Sequence, residues 1–217
     1  MKIQQIFQSG TQDAHSNHLK LIEADCQYIV EGMNISAPAG VYHPHEQSSS
    51  LLLLSVLFDL QITHKNVIEI GSGSGVISLW MAKNGNQVVA TDIQEASCAA
   101  TRQNALSNGI LLESVRQGDM WDAVEAHESF DIAICNLPLK DKQVDEPGEK
   151  QLCDPGGILL SKFLTGLAEH LKPSGMAIFT WANFSSPIPS RWKSAVKILK
   201  SKHYDENTIF NVCQLLL

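Results

Sequence analysis

The stretch VIEIGSGSGVISL, from Val67 to Leu79, decides how this chain is read. Val67, Ile68 and Ile70 make an apolar β-type run, and a helical pattern begins at Val76. Between them lie Gly71, Gly73 and Gly75. Glycine suits a backbone that must turn sharply and let a ligand come close. In an open parallel sheet, the loop at the carboxyl end of the first strand is where nucleotide-like ligands sit.

Outward from this loop, apolar β-like runs alternate with helical segments. The run at 66–70 is followed by runs at 87–91 (QVVAT), 112–116 (LESVR), 130–135 (FDIAIC) and 176–181 (MAIFTW). GVISLWMAKN, ASCAATRQNALSN and ILLSKFLTGLAEHLK lie between them with helical spacing. This alternation implies βαβ units and a parallel sheet covered on both faces. The tail NTIFNVCQLLL adds one more strand. The expected fold is α/β and Rossmann-like, a mostly parallel sheet with helices on both faces and an antiparallel C-terminal strand. Upstream, CQYIVEGMNISAP reads as a short hairpin closed by Pro38 and Gly40, and Ser48, Ser49 and Ser50 offer a cap for a helix through the leucine-rich stretch. The expected division is an N-terminal extension carrying the hairpin, residues 1–40, and one domain over 41–217.

With 217 residues, 44% of them hydrophobic, the chain can bury a sizeable core. Its net charge of −7 argues against broad electrostatic capture of nucleic acid. Arg191, Lys193, Lys197, Lys200 and Lys202 form a local basic group that reads as a solvated helix face. Five scattered cysteines without a CxxC pair fit a reducing compartment. The segment MKIQQIFQSG lacks the apolar core of a signal peptide, and LLLLSVLFDL is too short to span a bilayer. These features point to a cytoplasmic chain with no membrane association, and they imply no oligomeric state.

The glycine loop admits two ligand classes. A dinucleotide fingerprint, G-x-G-x-x-G, needs glycine at 76, where Val76 stands. The spacing present is E-x-G-x-G-x-G, from Glu69 to Gly75. It resembles motif I of the class I S-adenosylmethionine-dependent methyltransferases. That resemblance implies a loop whose backbone at Gly71, Ser72, Gly73 and Gly75 faces the amino-acid end of the cofactor, with Glu69 ordering the ammonium and the loop. Further residues match in order. Asp92 ends the second strand, where a carboxylate accepts both ribose hydroxyls, although dinucleotide enzymes place an acid there too. Ile93 would pack on the adenine. Asp119 stands where the family has an acid for the adenine amino group, with the Met120 amide close by; alone it also reads as a turn aspartate before a helix.

GVYHPHEQSSSLLLLSVL resembles the segment that precedes the core in HemK-like release-factor glutamine methyltransferases and related small-domain methyltransferases. Val41, Tyr42 and Pro44 match the family pattern, and the segment would close over the methionine end of the cofactor. The similarity runs from about Gln27 to Gly175, and the terminal segment beyond it matches in layout only. His43, His45 and Glu46 raise the question of a metal. No further ligand set accompanies them and methyl transfer needs none, so no metal is expected.

FDIAICNLPLK, from Phe130 to Lys140, ends a strand in Asn136-Leu137-Pro138-Leu139. This resembles the [N/D]-P-P-[Y/F] and N-[L/I]-P-[Y/F] tetrads of methyltransferases that act on planar nitrogens. Such a nitrogen has a delocalised lone pair and attacks a sulfonium poorly. The resemblance implies that the Asn136 side-chain oxygen and the Leu137 carbonyl accept its N–H groups, while Pro138 fixes the turn by locking φ. Most of the catalysis is then positioning and electrostatics. Leu139 departs from the pattern, since an aromatic ring normally stacks on the acceptor there. Trp121, Trp181 or Phe184 would have to replace it. The expected activity is methyl transfer to a nitrogen of a protein side chain or small metabolite, with nucleic acid disfavoured by charge and by Leu139. An O-methyltransferase, a nucleic-acid N-methyltransferase and a cofactor-binding partner subunit that no longer catalyses are the alternatives.

Overall fold

The structure is a computed structural model that describes residues 3–5, 19 and 22–217. Strands β1 (Ile3–Gln5), β2 (Cys26–Val30) and β3 (Met33–Ala37) form a small antiparallel sheet. Helix α1 (Ser49–Leu60) follows, capped as the serine run suggests, with the Ser48 hydroxyl accepting from the Leu51 amide.

The larger sheet has seven strands. Its parallel part comprises β4 (Asn66–Ile70), β5 (Gln87–Asp92), β6 (Ser114–Gln117), β7 (Phe130–Cys135) and β8 (Leu171–Ala182). β9 (Val196–His203) and β10 (Ile209–Leu216) complete it as antiparallel strands, giving the order β6-β5-β4-β7-β8-β10-β9. The chain runs outward from β4 to β5 and β6, then returns to β7 and β8 on the other side. The reversal lies between β4 and β7, where the strand ends of an open sheet leave a crevice for ligands.

Alternation along each strand feeds two cores. Val67, Ile132, Ile134 and Ile178 face one side, where α1, α2 (Val76–Lys83) and α3 (Glu95–Asn108) pack with the hairpin. Ile68, Ala133, Cys135, Ala177 and Phe179 face the other, against Phe163, Leu164 and Leu167 of α4 (Ile158–His170). Because both faces are buried, these strands read as continuous Val and Ile runs rather than alternating ones. The hairpin shares the first core through Tyr28, Val30 and Ile35, and the Asn104 and Asn108 side chains of α3 bond its backbone at Ser36 and Asn34.

One expectation is corrected. Lys197, Lys200 and Lys202 lie on strand β9, not on a helix face, and only Ser190–Lys193 forms a short helical turn. β9 pairs with β10 alone and forms a border of the sheet, where charged side chains discourage pairing with another chain. All five cysteines are buried and free. No helix among the described residues is long and apolar enough to cross a membrane.

Candidate active site

The carboxyl ends of β4, β5 and β7 converge on a cavity of about 410 Å³, within the range of small-molecule sites. Its lining includes Glu69, Gly71, Asp92, Ile93, Met120 and Asn136. Tyr42, Ser72, Gly73, Asp119 and Pro138 also border it, so the structure brings these expected residues to one place. Gly75 stands behind the loop as the N-cap of α2.

The loop is held from beneath. The Gly71 and Ser72 amides donate to the Thr91 carbonyl at 2.8 and 2.9 Å, and the Gly75 amide to Ser72 O at 2.8 Å. Gly71 has a φ of +79°, and a Cβ added there would meet nothing within 4 Å. Gly75 has a φ of +80°, and a Cβ there would meet Thr101 at 2.8 Å. One glycine thus keeps space open to the cavity, while the other is needed because the neighbouring helix is already close.

The acids differ in environment. Glu69 is 1% exposed and accepts both the Ser78 amide, at 2.8 Å, and the Ser78 hydroxyl. Burial pushes its carboxyl up to about 8, against the opposing pull of the Ser78 bonds. Asp92 accepts the Gly73 amide and the Gln94 amide, each at 2.9 Å, one on each oxygen. Burial raises its pKa. Asp92 therefore holds the glycine loop as well as facing the cavity. Asp119 pairs with Lys162 of α4 at 2.5 Å. Ile93 is 60% exposed, a bare apolar side chain at the cavity wall. Met120 sits at φ +52°, an uncommon region for a residue with a Cβ.

At the end of β7, the Thr180 hydroxyl of β8 lies 3.1 Å from Asn136 Oδ1 and 3.5 Å from the Leu137 carbonyl. Its single proton is thus shared by the two oxygens that the sequence assigns to the acceptor nitrogen. Tyr42 reaches the same region, its hydroxyl bonded to Ser49 Oγ at 3.3 Å and to Asn136, and burial raises its pKa. Leu139 is 8% exposed, with its amide donating to Leu152 O and its carbonyl accepting from Ser185 Oγ.

Beyond Asn136 lies a second cavity of about 620 Å³. Tyr42, Asn136, Leu137, Pro138 and Gln151 line both. The second also takes in His45, Leu139, Phe184, Tyr204 and Phe210. Of the rings proposed to replace an aromatic at 139, Phe184 is here. Trp121 instead stacks on Phe163 and His170, and Trp181 donates to Ser186 O. Tyr204, Phe210 and Thr180 were missed by sequence reasoning, because nothing local marks them. His45 is buried, which lowers its pKa to about 4 and keeps it neutral near pH 7. His43 turns inward to the Tyr28 hydroxyl at 3.0 Å, and no cluster of three metal-ligating side chains exists among the described residues.

The sequence model of the methyltransferase small domain matches residues 32–200 of this chain. The chain belongs to the methyltransferase small domain family. Among similar proteins is a putative protein N5-glutamine methyltransferase of Methanocaldococcus jannaschii, 30% identical over 154 residues, which are 68% of this chain and 75% of that one. A ribosomal protein L11 methyltransferase of Helicobacter hepaticus is 30% identical over 101 residues, 46% of this chain but only 32% of its own length. A 16S rRNA methyltransferase of T. thermophilus, solved with AdoMet and guanosine, superposes with a TM-score of 0.68 at 20% identity, covering 88% of this chain and 50% of that one. Several relatives that this member of the family matches are thus much longer than the matched region.

The fold and family are those of S-adenosylmethionine-dependent methyltransferases. The small-domain site fits that cofactor. The space beside Gly71 is open, a buried carboxylate borders the cavity at Asp92, and Ile93 offers an apolar face.

Proposed function

We propose that this chain transfers a methyl group from S-adenosylmethionine to a nitrogen of a protein side chain or a small metabolite, with residues 41–217 as the catalytic domain. The observation that carries the reading is that Asn136, Leu137 and Pro138, with Tyr42, line both cavities. One short segment therefore borders both donor and acceptor space. When bound, the cofactor supplies a methyl sulfonium, an electrophile that needs no strong general base.

The chain's own groups do the rest. The glycine loop and Glu69 would hold the amino-acid end of the cofactor, Asp92 the ribose, and Ile93, Asp119 and the Met120 amide the adenine. Asn136 Oδ1 and the Leu137 carbonyl would accept the acceptor's N–H groups and turn its lone pair toward the donor cavity. Pro138 would hold the turn that follows them. Thr180 steadies the Asn136 amide without filling the acceptor capacity of Oδ1, since a carbonyl oxygen has two lone pairs. The name of the M. jannaschii relative supports nitrogen as the receiving atom.

The test is transfer of isotope-labelled methyl groups into a cell lysate, followed by analysis of the product. Asn136→Ala should leave cofactor affinity nearly unchanged and lower turnover by roughly 100-fold, the usual cost of one positioned polar partner. Label found on oxygen, or unchanged turnover in the variant, would overturn the reading.

A further inference from the structure

The second cavity is walled by three aromatic rings that no local motif announces. Phe184 and Phe210 meet edge to face at 5.7 Å between centroids, and Phe210 and Tyr204 lie 4.6 Å apart. These rings come from the turn after β8 and from the two ends of the β9–β10 connection. That assembly is pinned. Asn183 donates to Asn207 O at 2.8 Å and accepts from the Ile209 amide at 2.9 Å. Asp205 accepts the Asn207 amide at 2.7 Å, and the Tyr204 amide donates to Thr208 O at 3.0 Å. The Tyr204 hydroxyl then donates to Gln47 O at 3.0 Å, which joins the hairpin to the segment ahead of α1.

We propose that this aromatic wall is the acceptor subsite, and that it takes a planar heterocyclic ring bearing an amine, such as a nucleobase, with Phe184 as the stacking residue. The inference rests on the reading of Asn136 given above and narrows its acceptor. Phe184 is 37% exposed on a turn that two side-chain bonds hold rigid. Tyr204 has the Lys202 ammonium over its ring at 4.6 Å and Phe210 beside it, so its faces are already engaged. An aliphatic amide has no flat face to set against these rings. A ring amine has one, and a preformed wall reduces the ordering needed on binding. The ring that position 139 lacks is thus supplied from the turn after the neighbouring strand β8, which removes the objection raised by Leu139.

The probes are cytidine and guanosine, a glutamine-containing peptide and a single-stranded RNA oligonucleotide. Binding to the full chain is followed by saturation-transfer NMR, with S-adenosylhomocysteine saturating the donor cavity. At least one ring amine should bind, about tenfold or more weakly in Phe184→Ala and with recovery in Phe184→Trp, while cofactor affinity stays constant in both. Much tighter binding of the oligonucleotide than of the nucleoside would place the ring in RNA and overturn the small-metabolite acceptor proposed above while keeping the subsite, and equal binding would support a free metabolite. Binding of the peptide but of neither ring amine would overturn the inference, as would equal ring binding by Phe184→Ala. This readout needs no methyl transfer. Ring binding without label transfer would therefore count against the proposed reaction and not against the subsite.

Discussion

Thr180, near the carboxyl end of β8, donates its hydroxyl proton toward Asn136 Oδ1 at 3.1 Å, so the strand beside β7 sets the orientation of the amide at the tip of β7. Thr180 is 1% exposed and lines neither cavity itself but bonds Asn136, which lines both, so it is a positioning residue in the proposed mechanism.

Thr180→Val keeps the side chain's shape and removes its donor. Turnover should fall about tenfold, the worth of one hydrogen bond of this kind, with cofactor affinity unchanged. Thr180→Ser should restore most of the loss. Steady-state kinetics with labelled cofactor measure both, and equal turnover in Val and Ser variants would remove Thr180 from the mechanism.

Gly71 and Gly75 should respond differently to alanine. At Gly75 the new Cβ would meet Thr101, which itself bonds Ser72 Oγ and Gly73 O, so strain spreads into the loop. Gly75→Ala should cost about 1–3 kcal/mol of stability and weaken cofactor binding as well. At Gly71 the Cβ would enter open space at the cavity. Gly71→Ala should cost less stability and lose proportionally more affinity. Thermal melts and calorimetry separate the two.

Asp92→Asn keeps one acceptor oxygen but sets an NH₂ against a backbone amide, at Gly73 or at Gln94. With the NH₂ toward Gly73 the glycine loop loses its bond to this side chain, and toward Gln94 the turn after β5 loses its own. A loss of about 1–3 kcal/mol of stability is expected for the unsatisfied amide, together with weaker cofactor binding. A cofactor affinity equal to wild type would dissociate Asp92 from the ribose.

The pH dependence of the free protein should carry the signature of Glu69. Its folded pKa of about 8 lies above the 4.5 of an unperturbed glutamate, so the fold favours the protonated form. That contribution is fully present below about pH 4.5 and is lost as pH rises through 8. Between these limits wild type should lose stability relative to Glu69→Gln, by an amount on the order of a few kcal/mol. Melting temperatures of both proteins across this range measure it, and parallel curves would show that Glu69 does not titrate there.

The cofactor half of the site was legible because it is local. Glu69, the glycines, Asp92, Asp119 and Asn136 each stand at a strand end, and the strands announce themselves as Val and Ile runs buried on both faces. The proposed acceptor half depends on antiparallel register. Thr180 lies opposite Val212 and Ala182 opposite Phe210, pairings that no short window contains. The lysines around β9 had helix-like spacing, but pairing of β9 with β10 overrides local preference. Leu139 signalled correctly that its own position carries no ring. Phe184 stands beside Ser185, whose hydroxyl bonds the Leu139 carbonyl, a neighbourhood visible only in the folded sheet.

The bond from Tyr204 to Gln47 joins residues 157 positions apart, and it bears on the order in which the molecule assembles. Residues 69–138 contain most of the donor cavity, whereas the acceptor wall needs Tyr204 and Phe210. Val212, Cys213 and Leu215 of β10 lie in the same two cores as β4 and β7, and a domain generally folds as a unit. The hairpin that carries Tyr204 and Phe210 therefore belongs to the folding of both cavities, and the two are completed together.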